Sequence, residues 1–444
     1  MDKSRLVLFI CISYLISNNV CSSQRTGSNR INRIRGSVIT NLTRTHSYDD
    51  DIVTSHLDAS VRIRQFYRMI RDVYNNVLGG TGQRQTGKFL QNRIPNNIPF
   101  PCKTSGFRSR TVPESVHELR PGDIDIVAAV GDSLTSATAA NSAALWEVLV
   151  ENRGLSWCIG GQGTFRTHLT LPNILKEFNP RLFGYSLQDS YNVHRSAQFN
   201  VAENIATTSD MPYNAEKLLH RMKLDRRVNM TSHWKLLTFM IGGNDFCSDV
   251  CYQTNATQWI NRSQEKYLIK TLRYLRDNMP RTFVNLVPSP LVSLSFSMDR
   301  VQVPWQCHLS RPIECSCLFG PAYSKARNLY RRLERNFVKI MERVSYRDEF
   351  HTKDFTVVYQ PFFKDASVFL DHVKKPDMTI MSVDCIHLSQ KGHAVSAAGL
   401  WNNMLQPTGL KTIGLKPLFK EFLCPTEENP YLRTYFNSQP FSPR

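Results

Sequence analysis

After residue 16 the sequence lacks any apolar run that approaches the roughly 20 residues that a membrane-spanning helix needs. The last residues, 434–444, form a polar tail, so we expect neither a C-terminal membrane segment nor a lipid-anchor signal. No recognisable nucleic-acid-binding module occurs either. With 41% hydrophobic and 21% charged residues, the composition is that of a globular protein with a large core.

Acidic residues are scarce relative to basic ones, since 37 Asp and Glu stand against 55 Lys and Arg, a formal net charge of +18. The excess is spread through the chain. It favours peripheral contact with an anionic membrane surface or another polyanion, although a solvated basic surface gives the same composition. Nucleic acid is not an expected partner.

The N-terminus reads as a targeting segment. Residues 1–23 are predicted to be a cleaved signal peptide, because a charged start precedes an apolar run at 6–16, and a signal anchor is the alternative. Residues 24–57 are polar and are predicted to be disordered, and 58–99 are predicted to form an amphipathic helix and a linker. A secreted, extracellular glycoprotein is therefore expected, with sequons at Asn41, Asn229, Asn255 and Asn261.

The number of cysteines also fits an extracellular protein. Two of the eleven cysteines lie in or near the signal, so 11 minus 2, or nine, remain. In an oxidising compartment most should form disulfides, and an odd number leaves at least one thiol free. The alternative is a metal site, because Cys247 and Cys251, and Cys315 and Cys317, have superficially ligand-like spacings. Zinc sites usually have tighter spacings and histidine partners, so we expect no metal.

From about residue 100, strand and helix patterns alternate. Apolar runs predict buried strands at 124–130, 155–159, 234–241, 282–287 and 355–360. Helices are predicted at 143–150, 171–178, 213–228, 264–278, 322–345 and 390–405. This alternation is typical of the α/β class, with a parallel sheet, helices on both faces and ligands at the carboxyl ends of the strands.

Three groups of polar residues follow such patterns. Gly131-Asp132-Ser133 ends the first strand, Gly242-Gly243-Asn244-Asp245 ends another, and Asp384-Cys385-Ile386-His387 precedes the last helix. A hydrolytic serine needs a histidine to take its proton, a carboxylate to orient that histidine, and donors for the oxyanion. Asp384 and His387 are close enough in sequence to hydrogen-bond on one loop, and Asn244 offers a side-chain amide.

These groups resemble the GDSL, or SGNH, family of serine ester hydrolases, and in particular its phospholipase B branch. The resemblance covers about residues 100–433. It rests also on longer stretches at 171–175, 234–245, 280–287, 357–363 and 400–405. It implies a three-layer α/β/α fold with a central parallel sheet, and hydrolysis of acyl esters of phospholipids and lysophospholipids without a cofactor or metal.

The resemblance also implies residue roles. Ser133 is the expected nucleophile, His387 the general base and acid, and Asp384 its orienting carboxylate. Asp245 is an alternative acid, but the Asp-x-x-His spacing favours Asp384. The expected oxyanion donors are the backbone of Ser133, the side chain of Asn244 and the backbone at Ile205.

Ile205 departs from the family pattern, because relatives have glycine at the corresponding position. A β-branched residue does not adopt positive φ cheaply, and we expect its side chain to crowd the cleft.

Two alternatives to a phospholipase remain open. One is a GDSL esterase acting on another acyl ester, such as an acetylated sugar, and the other is a catalytically weak descendant that binds lipid or surfaces.

Overall fold

The computed structural model describes residues 87–291, 303–364 and 377–438. In these ranges the central sheet has four parallel strands in the spatial order β1-β2-β3-β4. They are β1 (Ile124–Gly131), β2 (Trp234–Ile241), β3 (Thr282–Pro288) and β4 (Phe355–Tyr359). Apart from the partly exposed Asp125, their residues are buried, which is why the strands read as continuous apolar runs.

Helices connect the strands. In the described ranges, those of eight or more residues are α1 (Leu171–Phe178), α2 (Met211–Leu224), α3 (Glu265–Asn278), α4 (Trp305–Glu314), α5 (Arg327–Ser345) and α6 (Gln390–Leu405). Shorter helical segments occur at Ser133–Ser136, Ala256–Gln258 and Ser316–Phe319. The start of α6 follows from its sequence, because the Ser389 hydroxyl accepts a hydrogen bond from the N–H of Gly392 and caps the helix.

The strand side chains alternate between two apolar cores. Val127 and Met240 lie in the core that α1 and α6 cover, whereas Val130 and Phe239 lie in the core that α2, α3 and α5 cover. The period of two along each strand sends neighbouring residues to opposite faces of the sheet. The prediction of a three-layer α/β/α fold with a parallel sheet is confirmed.

Three local predictions were wrong. The run at 155–159 is buried but forms turns after the 3-10 helix Arg153–Leu155, because burial alone makes a loop segment as apolar as a strand. The expected helix at 143–150 is reduced to the 3-10 helix Leu145–Glu147. Helix α4 was not predicted, and Pro312 inside it weakens the helical pattern.

The disulfide prediction is confirmed. The described ranges contain four disulfides, Cys102–Cys424, Cys247–Cys315, Cys251–Cys317 and Cys307–Cys385. Cys158 is a free, buried thiol. The cysteines with ligand-like spacings are thus bonded to each other in pairs and are not available as thiolate ligands.

Several N-terminal predictions lie outside the described residues, namely the signal peptide, the polar segment 24–57, the first part of 58–99 and Asn41. The described end of the linker contacts the main domain. The backbone N–H of Gln91 donates to Oε1 of Gln390 over 2.6 Å. The side-chain Oε1 of Gln91 accepts from the backbone N–H of Leu169 over 2.6 Å. No helix in the described part of the chain is both long and apolar enough to cross a membrane.

Candidate active site

The turn after β1 presents Ser133 at the carboxyl edge of the sheet. Gly131 has a φ of +154°, and a Cβ there would lie 2.5 Å from the carbonyl oxygen of Met240 and 2.5 Å from Oγ1 of Thr135. Only glycine therefore fits where β1 ends against β2. Asp132 caps the following short helix by accepting a hydrogen bond from the N–H of Leu134 over 3.0 Å.

A continuous chain of hydrogen bonds joins three of the predicted residues. Oγ of Ser133 lies 2.9 Å from Nε2 of His387, and Nδ1 of His387 lies 2.7 Å from Oδ2 of Asp384. Oδ1 of Asp384 accepts from the backbone N–H groups of Ile386 (3.0 Å) and His387 (2.9 Å). A proton on Nδ1 satisfies Asp384 and leaves the Nε2 lone pair facing the serine hydroxyl, the tautomer that a general base requires.

The structure places Asp245 elsewhere. It is fully buried and accepts hydrogen bonds from the N–H (3.1 Å) and Oγ1 (3.0 Å) of Thr208 and from Nε2 of Gln264. Burial, together with the charge of Asp249, raises the pKa of Asp245 well above its usual value. Asp384, and not Asp245, is therefore the carboxylate in contact with His387.

His393 also lies away from the serine. It is buried, and its Nδ1 lies 3.3 Å from the backbone N–H of Trp157. Burial lowers the pKa of His393 to about 3, so it stays neutral and packs within α6.

The segment around Ile205 lies against the serine turn. Oδ1 of Asn204 accepts a hydrogen bond from Oγ of Ser136 over 2.8 Å. On the other side of Ile205, the carbonyl of Ala206 accepts from Nδ2 of Asn244 over 2.9 Å. The backbone at Ile205 and the amide of Asn244 are thus held together next to Ser133.

Ile205 has a φ of +65°, in the left-handed region that a β-branched residue adopts only at a cost. Such a backbone costs on the order of 1–3 kcal/mol and persists because the anchors on Asn204 and Ala206 over-determine it. The departure from glycine therefore leaves the left-handed backbone in place. What changes is the side chain, which is partly exposed.

Sequence reasoning missed Glu314, the last residue of α4. Its Oε2 lies 3.6 Å from Nδ1 of His387, and its side chain is 25% exposed. Burial and the charge of Asp384 raise the pKa of Glu314 to about 8. No motif surrounds it in the sequence, and its place becomes visible only when α4 is packed against the histidine loop.

Helix α4 is fixed to that loop along its length. Near its start, Cys307 forms a disulfide with Cys385, and in its middle Oγ of Ser310 donates to the carbonyl of Asp384. Cys385 itself has a φ of +61°, so a strained residue sits between the catalytic acid and base candidates. The helix and the disulfide together hold the loop in this conformation.

The charges around His387 favour its imidazolium form, the form it takes once it has accepted a proton. Burial alone would lower the pKa of His387, but the charge and hydrogen bond of Asp384 and the charges of Glu314 and Asp132 raise it to about 9. For Asp384, burial acts to raise the pKa, but His387 and the backbone donors hold it below its usual value. Glu314, Asp384 and His387 each offer a ligand atom within 4.8 Å of the others, but two of those atoms are engaged in the Asp384–His387 hydrogen bond.

Comparison with known proteins shows which family the segment containing these residues matches. A family model described as GDSL-like Lipase/Acylhydrolase matches residues 127–400, which include Ser133, His387 and Asp384. Phospholipase B1, membrane-associated, from Rattus norvegicus is 39% identical over 366 residues, 79% of this chain and 25% of the relative. The protein of the same name from Homo sapiens is 36% identical over 337 residues, 74% of this chain and 23% of the relative. The chain thus spans about a quarter of the length of these curated relatives.

Solved structures give a weaker likeness. An extracellular lipase from Streptomyces rimosus is 13% identical, with 61% of this chain and 94% of that chain covered and a TM-score of 0.29. This score is too low to support an argument from structural similarity.

The charge of Glu314 should be visible in the pH dependence of catalysis. The charge of Glu314 is one of the causes that raise the pKa of His387. Its negative charge favours the imidazolium, so Glu314→Gln should lower the His387 pKa and move the acid limb of kcat/KM to lower pH. Glu342→Gln, on α5 and paired with Lys364, is the matched control and should leave the limb in place. A Glu314→Gln limb that coincides with that of the wild type would contradict this electrostatic account.

The strain at Ile205 can be measured with two truncations. Ile205→Ala and Ile205→Gly remove nearly the same side chain, but only glycine adopts a φ of +65° freely. We expect the glycine variant to be the more stable by about 1 kcal/mol in urea unfolding, the reverse of their usual order. Because the backbone is already left-handed, kcat of Ile205→Gly on a soluble short-chain ester should stay within about threefold of the wild type, a change of under ~1 kcal/mol in the barrier. An alanine variant as stable as the glycine variant would show that no strain is stored there.

Proposed function

We propose that this chain, which belongs to the GDSL-like lipase/acylhydrolase family, is a serine ester hydrolase that cleaves acyl esters of phospholipids and lysophospholipids. The observation that carries the proposal is the hydrogen-bonded chain Ser133–His387–Asp384 at the carboxyl edge of the sheet. The likeness to phospholipase B1 over 79% of the chain supports the class of substrate.

In the proposed mechanism His387 is first a base and then an acid. Its Nε2 takes the proton of Ser133 as Oγ attacks the ester carbonyl carbon, and the negative charge of Asp384 stabilises the resulting imidazolium. When the tetrahedral intermediate collapses, the bond to the alcohol oxygen breaks and His387 returns the proton to that oxygen. Water then attacks the acyl-enzyme by the same route, which releases a fatty acid and frees Ser133.

The oxyanion donors in this proposal are the backbone N–H groups of Ser133 and Ile205 and the side-chain amide of Asn244. The hydrogen bond from Asn244 to Ala206 supports this arrangement, because it fixes the amide beside the Ile205 backbone and leaves Nδ2 a second proton to donate. A single well-placed donor typically contributes about 3 kcal/mol to transition-state stabilisation. These positions favour a working enzyme over the catalytically weak alternative.

The chain is proposed to act outside the cell. Four disulfides are typical of an oxidising compartment. Among the described sequons, Asn229 and Asn255 are exposed, as glycosylation requires, whereas Asn261 is partly buried. The apolar run at 6–16 supplies the proposed export signal.

A fluorophosphonate probe and a lysophospholipid test the proposed function together. The wild type should form a phosphonyl adduct on Ser133 and release fatty acid from lysophosphatidylcholine, because only a serine activated by a base reacts readily. Ser133→Ala should lose both the adduct and the hydrolysis. Ser324→Ala, which removes an exposed serine, is the control and should retain both.

Two results would overturn parts of this account. Undiminished labelling of Ser133→Ala would remove Ser133 as the nucleophile. Labelling of Ser133 without fatty-acid release, accompanied by hydrolysis of short-chain or acetylated-sugar esters, would make the chain an esterase on another substrate.

A further inference from the structure

Helix α4 exposes large apolar side chains to solvent. Trp305 is 67% exposed, Leu309 38% and Ile313 52%. Residues four apart on a helix differ by only about 40° around its axis, so the three lie on one face, here called the α4 stripe. A helix that packs only within its own domain would bury such residues.

The opposite side of α4 holds the catalytic loop. Cys307, Ser310 and Glu314 face that loop, through the disulfide to Cys385, the hydrogen bond to the carbonyl of Asp384 and the 3.6 Å approach to His387. The α4 stripe is therefore carried on an element bonded to the triad. A surface that contacts the stripe is separated by one helix diameter, roughly 10 Å, from the loop that carries Asp384 and His387.

The chemistry of the exposed face is that of a membrane-interface helix. Along α4 and the residue that precedes it, five residues are exposed, and none of them carries a carboxylate. They are Pro304, Trp305, His308, Leu309 and Ile313. Tryptophan is enriched at the level of lipid headgroups, where its ring is buried and its N–H stays hydrated. The net charge of +18 adds attraction to phosphate-bearing surfaces.

We infer that the α4 stripe docks the enzyme on the surface of a phospholipid bilayer, with Trp305, Leu309 and Ile313 inserted among the lipids. This inference rests on the proposed function, because it requires a phospholipid substrate that lies in the bilayer beside Ser133. It assigns to α4 two roles, one face fixing the histidine loop and the other presenting that loop to lipid. The rigid attachment means that docking and alignment of the active site occur on the same element.

The test compares one enzyme on two substrates. The variant Trp305→Ser/Leu309→Ser/Ile313→Ser removes the stripe but none of the contacts to the loop. On a soluble short-chain ester its kcat/KM should remain within about twofold of the wild type. On phosphatidylcholine vesicles, its hydrolysis should fall by at least tenfold.

Binding is measured separately from turnover. In a Ser133→Ala background, which cannot consume the lipid, the intact stripe should carry protein down with sedimented phosphatidylcholine vesicles, and the serine-substituted stripe should leave it in solution. A second set of vesicles contains phosphatidylglycerol, which is anionic. Comparing the two sets separates insertion of the apolar side chains from charge attraction. Loss of binding to both sets supports the stripe, whereas unchanged binding to both overturns it.

A matched control uses exposed apolar residues elsewhere. Leu410 and Ile413 are 78% and 50% exposed and follow the carboxyl end of α6, whereas His387 precedes the start of this 16-residue helix. Leu410→Ser/Ile413→Ser should change neither soluble-ester nor vesicle hydrolysis. An equal loss of vesicle hydrolysis in this control would overturn the inference, because general surface apolarity would explain both.

Other outcomes also decide the matter. Equal losses on both substrates in the stripe variant would show that the stripe supports the triad and not docking. A fall from dimer to monomer in light scattering would make the stripe an interface between copies of the chain. If the wild type cleaves soluble esters but no phospholipid, the proposed function fails, and vesicle sedimentation still reports whether the stripe binds lipid.

Discussion

The hydrogen bond between Nδ1 of His387 and Asp384 is the contact on which the site depends. Both side chains are buried, and a buried charge is costly unless it is paired and hydrogen-bonded. The pair meets this requirement with the Asp384 carboxylate, two backbone N–H groups and the imidazole. Helix α4, through its disulfide and its hydrogen bond to the loop, keeps these groups in register. The same constraint explains why Ser133, 254 positions away in the chain, meets a histidine of the correct tautomer.

Strained backbone occurs in two of the segments that form the site. Ile205 and Cys385 both have positive φ, and neither is glycine. Strain of this kind persists where the surroundings fix the chain, and here hydrogen bonds fix the segment at Ile205 while a disulfide fixes Cys385. The fold thus spends part of its stability on geometry at the carboxyl edge of the sheet, as active sites commonly do.

Local patterns were sufficient to predict the strands that form the sheet, the turn at Ser133 and the proximity of Asp384 to His387, because each depends on neighbouring residues or on a β-sheet edge. They were insufficient for Glu314 and for the partners of Asp245, because Thr208 and Gln264 reach Asp245 only through tertiary packing. They also failed at 155–159, where an apolar run is buried without forming a strand. At Ile205 local preference alone does not give the backbone conformation, because tertiary anchors hold this β-branched residue at positive φ.

The most direct test of this account compares Asp384→Asn with Asp245→Asn in kcat on a soluble ester, with near-ultraviolet circular dichroism to show that each variant is folded. Asparagine at 384 has no negative charge, so it fixes the Nδ1–H tautomer of His387 less well and leaves the imidazolium without its counter-charge. We therefore expect kcat to fall by about 10⁴-fold. The side chain at 245 hydrogen-bonds to Thr208 and Gln264, so kcat of Asp245→Asn should fall by less than about tenfold, which is roughly 1.4 kcal/mol of barrier. The reverse order in two folded proteins would contradict the account and make Asp245 the orienting acid.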